Sequence, residues 1–206
     1  MKTIQIMKEY TYWCMGKRNR SFGTVFTVGD KNFTNKNSEC DVLTFAPEDR
    51  TDILQQLRKI DFGSEEIAIN YESIDWFAFD CITVLLKGGE ILGFSSVWHR
   101  PEYYDQGEAR ILNRYWEHPK LRMNGRLIAR PHLVATVKHQ LTFAKEAGYN
   151  KVFISRCRNP GFMKRLFIEL GEKTDTEWKM HEGKVAVCDP KHEACWQYKG
   201  TYEIKD

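Results

Sequence analysis

The 206-residue chain has no run of about 18 apolar residues, so no membrane-spanning helix is expected. Met1 to Tyr10 has no apolar stretch of the kind a secretory leader carries, so no export signal is expected. Charge of either sign is nearly cancelled. Lys and Arg number 31 against 28 Asp and Glu, leaving +3, too mild to imply a nucleic-acid partner by itself. The six cysteines (Cys14, Cys40, Cys81, Cys157, Cys188 and Cys195) are scattered. Without an export signal they read as reduced thiols of a cytoplasmic protein, not as a disulfide framework. Internal repeats and low-complexity segments are missing too. What is present is 42% hydrophobic residues, enough for one sizeable core.

The stretch from Lys120 to Gly171 has the clearest pattern. A basic loop carries Lys120, Arg122, Arg126 and Arg130. A helix over Pro131 to Ala147 follows, with Val134, Val137, Leu141 and Ala144 on one face and Gly148 as its left-handed stop. Val152 to Arg156 reads as a strand. Asn159 as N-cap and Pro160 at the first position open a second helix, with Met163, Leu166, Phe167 and Leu170 inward and Gly171 as its end. A cationic loop entering a helix N-terminus suits an anion, because free N–H groups and the helix dipole both favour negative charge there. The plain alternative is a solvated basic loop.

Elsewhere, Thr24 to Val28 reads as a strand within residues 1–40, which are expected to form an N-terminal extension, a β-hairpin on a main domain of 41–206. Val42 to Phe45 is a strand, and Pro47 opens a helix that buries Ile53, Leu54, Leu57 and Ile60. A weaker helical segment falls in Ser64 to Ser73. Ile82 to Lys87 and Glu90 to Trp98 form a hairpin about Gly88-Gly89, and Gly93 suggests a bulge or a close backbone approach. In the strand Ala109 to Glu117, alternation puts Arg110, Leu112, Arg114 and Trp116 on one face. Ile111, Asn113, Tyr115 and Glu117 fall on the other. Glu177 to Met180 and Lys184 to Cys188 read as a hairpin about Glu182-Gly183, and Ala194 to Ile204 as a last strand. The order predicts an α/β fold with a mixed sheet and helices on both faces.

That order resembles the GNAT superfamily of N-acyltransferases, from roughly Asp41 to Ile204. Asp41-Val42-Leu43-Thr44-Phe45-Ala46-Pro47-Glu48-Asp49 is similar to the family's first strand and helix, and Lys87 to Phe94 to its central hairpin. Arg122-Met123-Asn124-Gly125-Arg126-Leu127 is similar to its pyrophosphate loop, Ala147 to Ile154 to its helix-to-strand passage, and Asn159 to Gly171 to the helix that follows. The resemblance implies a mostly antiparallel GNAT-like sheet and transfer of an acyl group from acetyl-CoA to a primary amine. A catalytically silent binding or assembly protein of the same fold is the alternative. Partners would be acyl-CoA and an amine acceptor, with a second copy of the chain as an option and neither nucleic acid nor membrane expected.

On this reading Arg122, Asn124, Gly125, Arg126, Leu127, Arg130 and Asn159 would hold the cofactor. Glu117 would take the amine proton, with His118 its competitor because imidazole exchanges protons near neutral pH. An ordinary exposed glutamate and a loop histidine are the plain readings of the pair. Leu127 stands where the loop's second small residue falls. Phe167 stands four residues before Gly171, where the family often has a Tyr that protonates the leaving thiolate, so a hydroxyl restored there is expected to be tolerated and to raise turnover. Cys188, His192 and Cys195 match no common zinc spacing, and no metal is expected.

Overall fold

The computed structural model describes residues 26–27, 41–45, 60, 80–87, 90–118, 128–156 and 159–205. Among them the elements are β1 (Phe26–Thr27), β2 (Asp41–Phe45), β3 (Cys81–Lys87), β4 (Glu90–Trp98), β5 (Glu108–Glu117), α1 (Pro131–Glu146), β6 (Lys151–Arg156), α2 (Pro160–Thr174), β7 (Lys179–Ala186), a 3₁₀ turn (Glu193–Cys195) and β8 (Trp196–Glu203). The hydrogen-bonded strand order is β1-β2-β3-β4-β5-β6-β8-β7. β1–β2, β2–β3, β6–β8 and β7–β8 are antiparallel, and β5–β6 is parallel. This is the mixed, mostly antiparallel sheet expected. The helix read from Pro47, the weaker one in Ser64 to Ser73 and the Gly88-Gly89 turn lie outside the described residues.

The described residues form two compact units, one from those up to Ser96 with Arg114–His118, the other from Val97–Asn113 with Ile128 onward. In the first, Cys81, Ile82, Val84, Leu85, Leu92 and Phe94 make the buried apolar strand surface. Gly93 is needed there. A Cβ on it would stand 2.7 Å from Leu85 Cδ1 and 2.9 Å from the Trp116 carbonyl, so the close approach predicted from the sequence is present.

In the second unit, α1 starts at Pro131 and closes through Gly148 at φ +86°, the left-handed stop predicted. Its buried surface is wider than one stripe: Leu133, Val134, Val137, Phe143 and Ala144 are joined by His132, Thr136, His139 and Gln140, while Leu141 is only half-buried. Met163, Leu166, Phe167 and Leu170 are the buried face of α2, as predicted. The helix does not end at Gly171. It continues to Thr174 and is closed by Asp175 in the left-handed region, φ 54°. Gly171 has another purpose: a Cβ there would meet the Thr176 carbonyl at 2.7 Å, where the chain folds back.

Two further expectations are overturned. Lys179–Ala186 is one strand with a register shift between Met180 and Lys184, not a hairpin. Gly183, at φ +66°, supplies a bulge rather than a reversal, because both flanks pair with the same strand, β8. Cys188 and Cys195 are joined as a disulfide with Cα atoms 5.2 Å apart, so these two are not free thiols. The pairing of Ala186 with Trp196, and of Val187 N–H with the Cys195 carbonyl at 2.9 Å, brings the two cysteines face to face. For this pair the reduced-thiol argument for a cytoplasmic location loses its basis. No helix of the described residues is long and apolar enough to cross a membrane.

Candidate functional site

β5 departs from simple alternation. Leu112 and Arg114 hold φ of 50° and 53°, left-handed conformations that cost energy in a residue with a Cβ. Ile111, Leu112 and Asn113 are buried in succession. The Leu112 N–H, turned out of the ladder, is caught by Gln140 Oε1 of α1 at 2.8 Å, itself fully buried. β5 and β6 pair only over Glu108–Arg110 with Lys151–Phe153. Ile154, Ser155 and Arg156 continue the ladder with β8, opposite Gly200, Lys199 and Tyr198. The parallel register of β5 with β6 thus ends two residues before Leu112, where the backbone of β5 is distorted.

Arg110 sits at the last paired position. Its Nη2 donates to Gln197 Oε1 at 3.1 Å and to the Ser155 carbonyl at 3.4 Å, and Ser155 Oγ donates to the same Gln197 oxygen at 3.0 Å. Next to it Glu108 and Lys199 form a well-shielded ion pair at 2.9 Å, with the Lys199 ammonium 4.2 Å from the Phe153 ring centre. Burial pushes the Tyr104 phenol above its ordinary pKa, against the opposing pull of the Arg110 charge.

The sequence-predicted residues divide. Glu117 is buried, only 3% exposed, and Tyr115 donates its hydroxyl to Glu117 Oε2 at 3.1 Å. That excludes the reading of an ordinary exposed glutamate. A buried carboxylate needs such donors. His118 is also buried; its N–H reaches the Leu92 carbonyl at 2.8 Å and its ring stands edge-on to Trp116. Arg130 is the half-buried N-cap of α1, and its side chain makes no cap bond. Asn159 is exposed and caps α2 by accepting from Phe162 N–H at 2.8 Å. Arg122, Asn124, Gly125, Arg126 and Leu127 lie outside the described residues.

An acyl-CoA fits the α1 end on one observation: the first turn has neither an acidic residue nor a side-chain cap, so its own residues do not neutralise the dipole. Reading the sequence missed Gln140, Gln197 and Glu169. Glu169 Oε2 accepts both the Ile128 and Ala129 N–H groups at 2.8 Å. Its i, i+4 spacing from Arg165 and to Lys173 was the available signal.

Phe167 is a packing residue. Its ring lies over Gly200 of β8 and stacks on Trp178 at 5.5 Å. The count of four residues back from a closing Gly also fails, since Asp175 closes the helix.

Neither a protein-family model nor a curated protein sequence matches the chain. Solved structures do. The CoA-dependent acyl-homoserine lactone synthase BjaI, with SAM and isopentyl-CoA, superposes at a TM-score of 0.52 and 14% identity, over 81% of this chain and 84% of that one. The same synthase with MTA gives 0.50 and 15%, over the same shares. The fold is GNAT-like: a mixed, mostly antiparallel sheet with helices. At such identity the likeness extends to the fold and not to the chemistry.

Proposed function

We propose that the protein is an acyl-CoA-dependent N-acyltransferase, with acetyl-CoA as donor and a primary amine as acceptor. The carrying observation is that the parallel ladder of β5 and β6 runs over Glu108–Arg110 and Lys151–Phe153 and ends before the distorted Leu112. An extended pantetheine arm has the shape and the alternating donors and acceptors to pair with strand backbone beyond the end of such a ladder. The uncapped start of α1 supports a phosphate end for the same ligand, with Arg130 and the basic residues Arg122 and Arg126, and main-chain donors at Asn124, Gly125 and Leu127, supplying the grip. Asn159 is proposed as a further cofactor contact through its amide group.

In the reaction the amine nitrogen attacks the thioester carbonyl carbon, the C–S bond breaks, and the amine proton passes to a base. Glu117 is the proposed base and His118 its alternative. The thiolate leaves as CoA. Orientation contributes most to such a direct attack, since both reactants are bound. Residues 1–40 are proposed as an extension to the domain of 41–206.

The test is calorimetric titration with acetyl-CoA. Wild type is expected to bind, and Arg122→Glu and Gly125→Pro to lose binding while remaining folded. Undiminished affinity in both variants would remove the loop assignment. The BjaI complex holds SAM, so S-adenosylmethionine belongs beside amino acids and diamines in the panel of amines.

A further inference from the structure

Arg165, Glu169 and Lys173 lie four residues apart on α2, hence on one face. Arg165 Nη2 meets Glu169 Oε1 at 3.3 Å. The other carboxylate oxygen, Oε2, accepts two main-chain bonds, from Ile128 and Ala129 at 2.8 Å each. Lys173 Nζ donates to the Ala129 carbonyl at 2.6 Å. Ala129 is thereby gripped at both ends of its backbone, is fully buried, and stands two residues before Pro131. Bonds to a charged group are shorter and stronger than neutral ones, and here three of them converge on two residues.

This anchorage lies where the basic segment enters α1. Main-chain donors recognise a pyrophosphate only if their positions are set beforehand, and a loop is set by its fixed end. With two cations flanking one anion, the ladder is net positive and does not repel a phosphate nearby. We propose that Glu169, assisted by Lys173, is a positioning residue for the phosphate end of acyl-CoA. It acts through the backbone of Ile128 and Ala129 and not by touching the ligand. The proposal rests on the acyl-CoA reading above.

A purely structural clamp would lower stability and weaken every ligand alike. A positioning residue discriminates between ligands with and without the nucleotide pyrophosphate. The experiment titrates wild type, Glu169→Gln, Glu169→Ala and Lys173→Met with acetyl-CoA and with acetyl-pantetheine, and records the Tm of each. Glu169→Ala is expected to weaken acetyl-CoA by about tenfold or more, the scale seen when the support of a binding group is removed, and to leave acetyl-pantetheine within about twofold. Should acetyl-pantetheine bind wild type too weakly to titrate, inorganic pyrophosphate serves as competitor. It must displace acetyl-CoA from wild type at lower concentration than from Glu169→Gln.

Equal losses for both ligands, or none for either, overturn the proposal. If Glu169→Ala does not fold, Glu169→Gln and Lys173→Met decide by the same split. Wild type binding acetyl-CoA while the variants show no split overturns only the role of Glu169. Wild type failing to bind acetyl-CoA overturns the acyl-CoA reading and this proposal with it.

Discussion

Glu169 carries opposing influences on its proton. Burial favours the neutral acid, while the N–H groups of Ala129 and Ile128, then Arg165, then the Lys173 charge, favour the anion and prevail. Its pKa therefore falls below the ordinary 4.5. A carboxyl whose folded pKa is depressed adds stability above its unfolded pKa and loses it as pH falls through the folded value. Glu169→Gln is thus expected to be less stable than wild type at neutral pH, with the gap closing at pH values below 4.5. Urea unfolding at neutral pH and at a series of acid values measures it; a gap that persists undiminished in acid would assign the loss to shape instead of charge. Phe167 offers a second single-residue test. Its ring tip faces Gly200, so a para hydroxyl meets sheet backbone and not solvent. Phe167→Tyr is expected to lower stability by about 1–3 kcal/mol, the usual cost of overpacking, without raising turnover. A more active, equally stable variant would contradict this. Single residues were legible where a physical rule is local: Gly93 and Gly148 announce close approach and left-handed backbone. Leu112 and Arg114 announce nothing, because no local rule marks a non-glycine residue for positive φ, and the Gln140 bond to the Leu112 N–H comes from a distant helix.

At the scale of elements, the connection from β7 to β8 is the part most changed from the sequence expectation. The Cys188–Cys195 bridge closes a short loop that also holds the Trp196 Nε1–Pro190 carbonyl bond at 3.0 Å and the Gln197 Nε2–Ala194 carbonyl bond at 2.9 Å. Closing a loop of this size restricts the unfolded chain by about 2 kcal/mol in the entropic account. Cys188→Ser is expected to lower the Tm, and reductant to lower the Tm of wild type but not that of the variant. Identical melting of all samples would show that the bridge adds no stability. Gln197 leads from this loop to Arg110 and Ser155, so the same variant is expected to disturb their resonances in an NMR spectrum. The bridge was hidden because redox compartment and spacing were the only guides, whereas strand register sets the distance. The same holds for β7: a glycine between two short strand-like segments suits a turn or a bulge, and only pairing with β8 distinguishes them. Helix starts were clear, since Pro131, Asn159 and Pro160 act within one turn. The end of α2 was not, because Gly171 serves a packing contact three residues inside it.

For the whole molecule, the order of strands and helices was legible because periodicity of 2 and of 3.6 survives great divergence, and the GNAT likeness follows from that order. The candidate site was less so. Two of its predicted residues, Glu117 and His118, are buried, which alternation alone could not distinguish from a solvated strand end. The remaining question is turnover. A ligand at a hundred times its Kd adds about 2.7 kcal/mol to folding stability, and for a chain of this length each kcal/mol moves the Tm by about 2–4 °C. Acetyl-CoA is therefore expected to raise the Tm of wild type by about 5–10 °C. Glu117→Gln preserves the shape of the side chain and its acceptor oxygen for Tyr115 but removes the base. It should keep nearly the whole thermal shift while CoA release with amines falls by about a hundredfold or more, the usual worth of general base help. The deficit should shrink as pH rises, because more of the amine arrives already deprotonated and hydroxide or buffer can take the proton that amide formation releases. If Glu117→Gln releases CoA at the wild-type rate, His118 becomes the base to test, by His118→Gln in the same assay. If acetyl-CoA stabilises wild type and no amine triggers CoA release, the fold binds its ligand without chemistry.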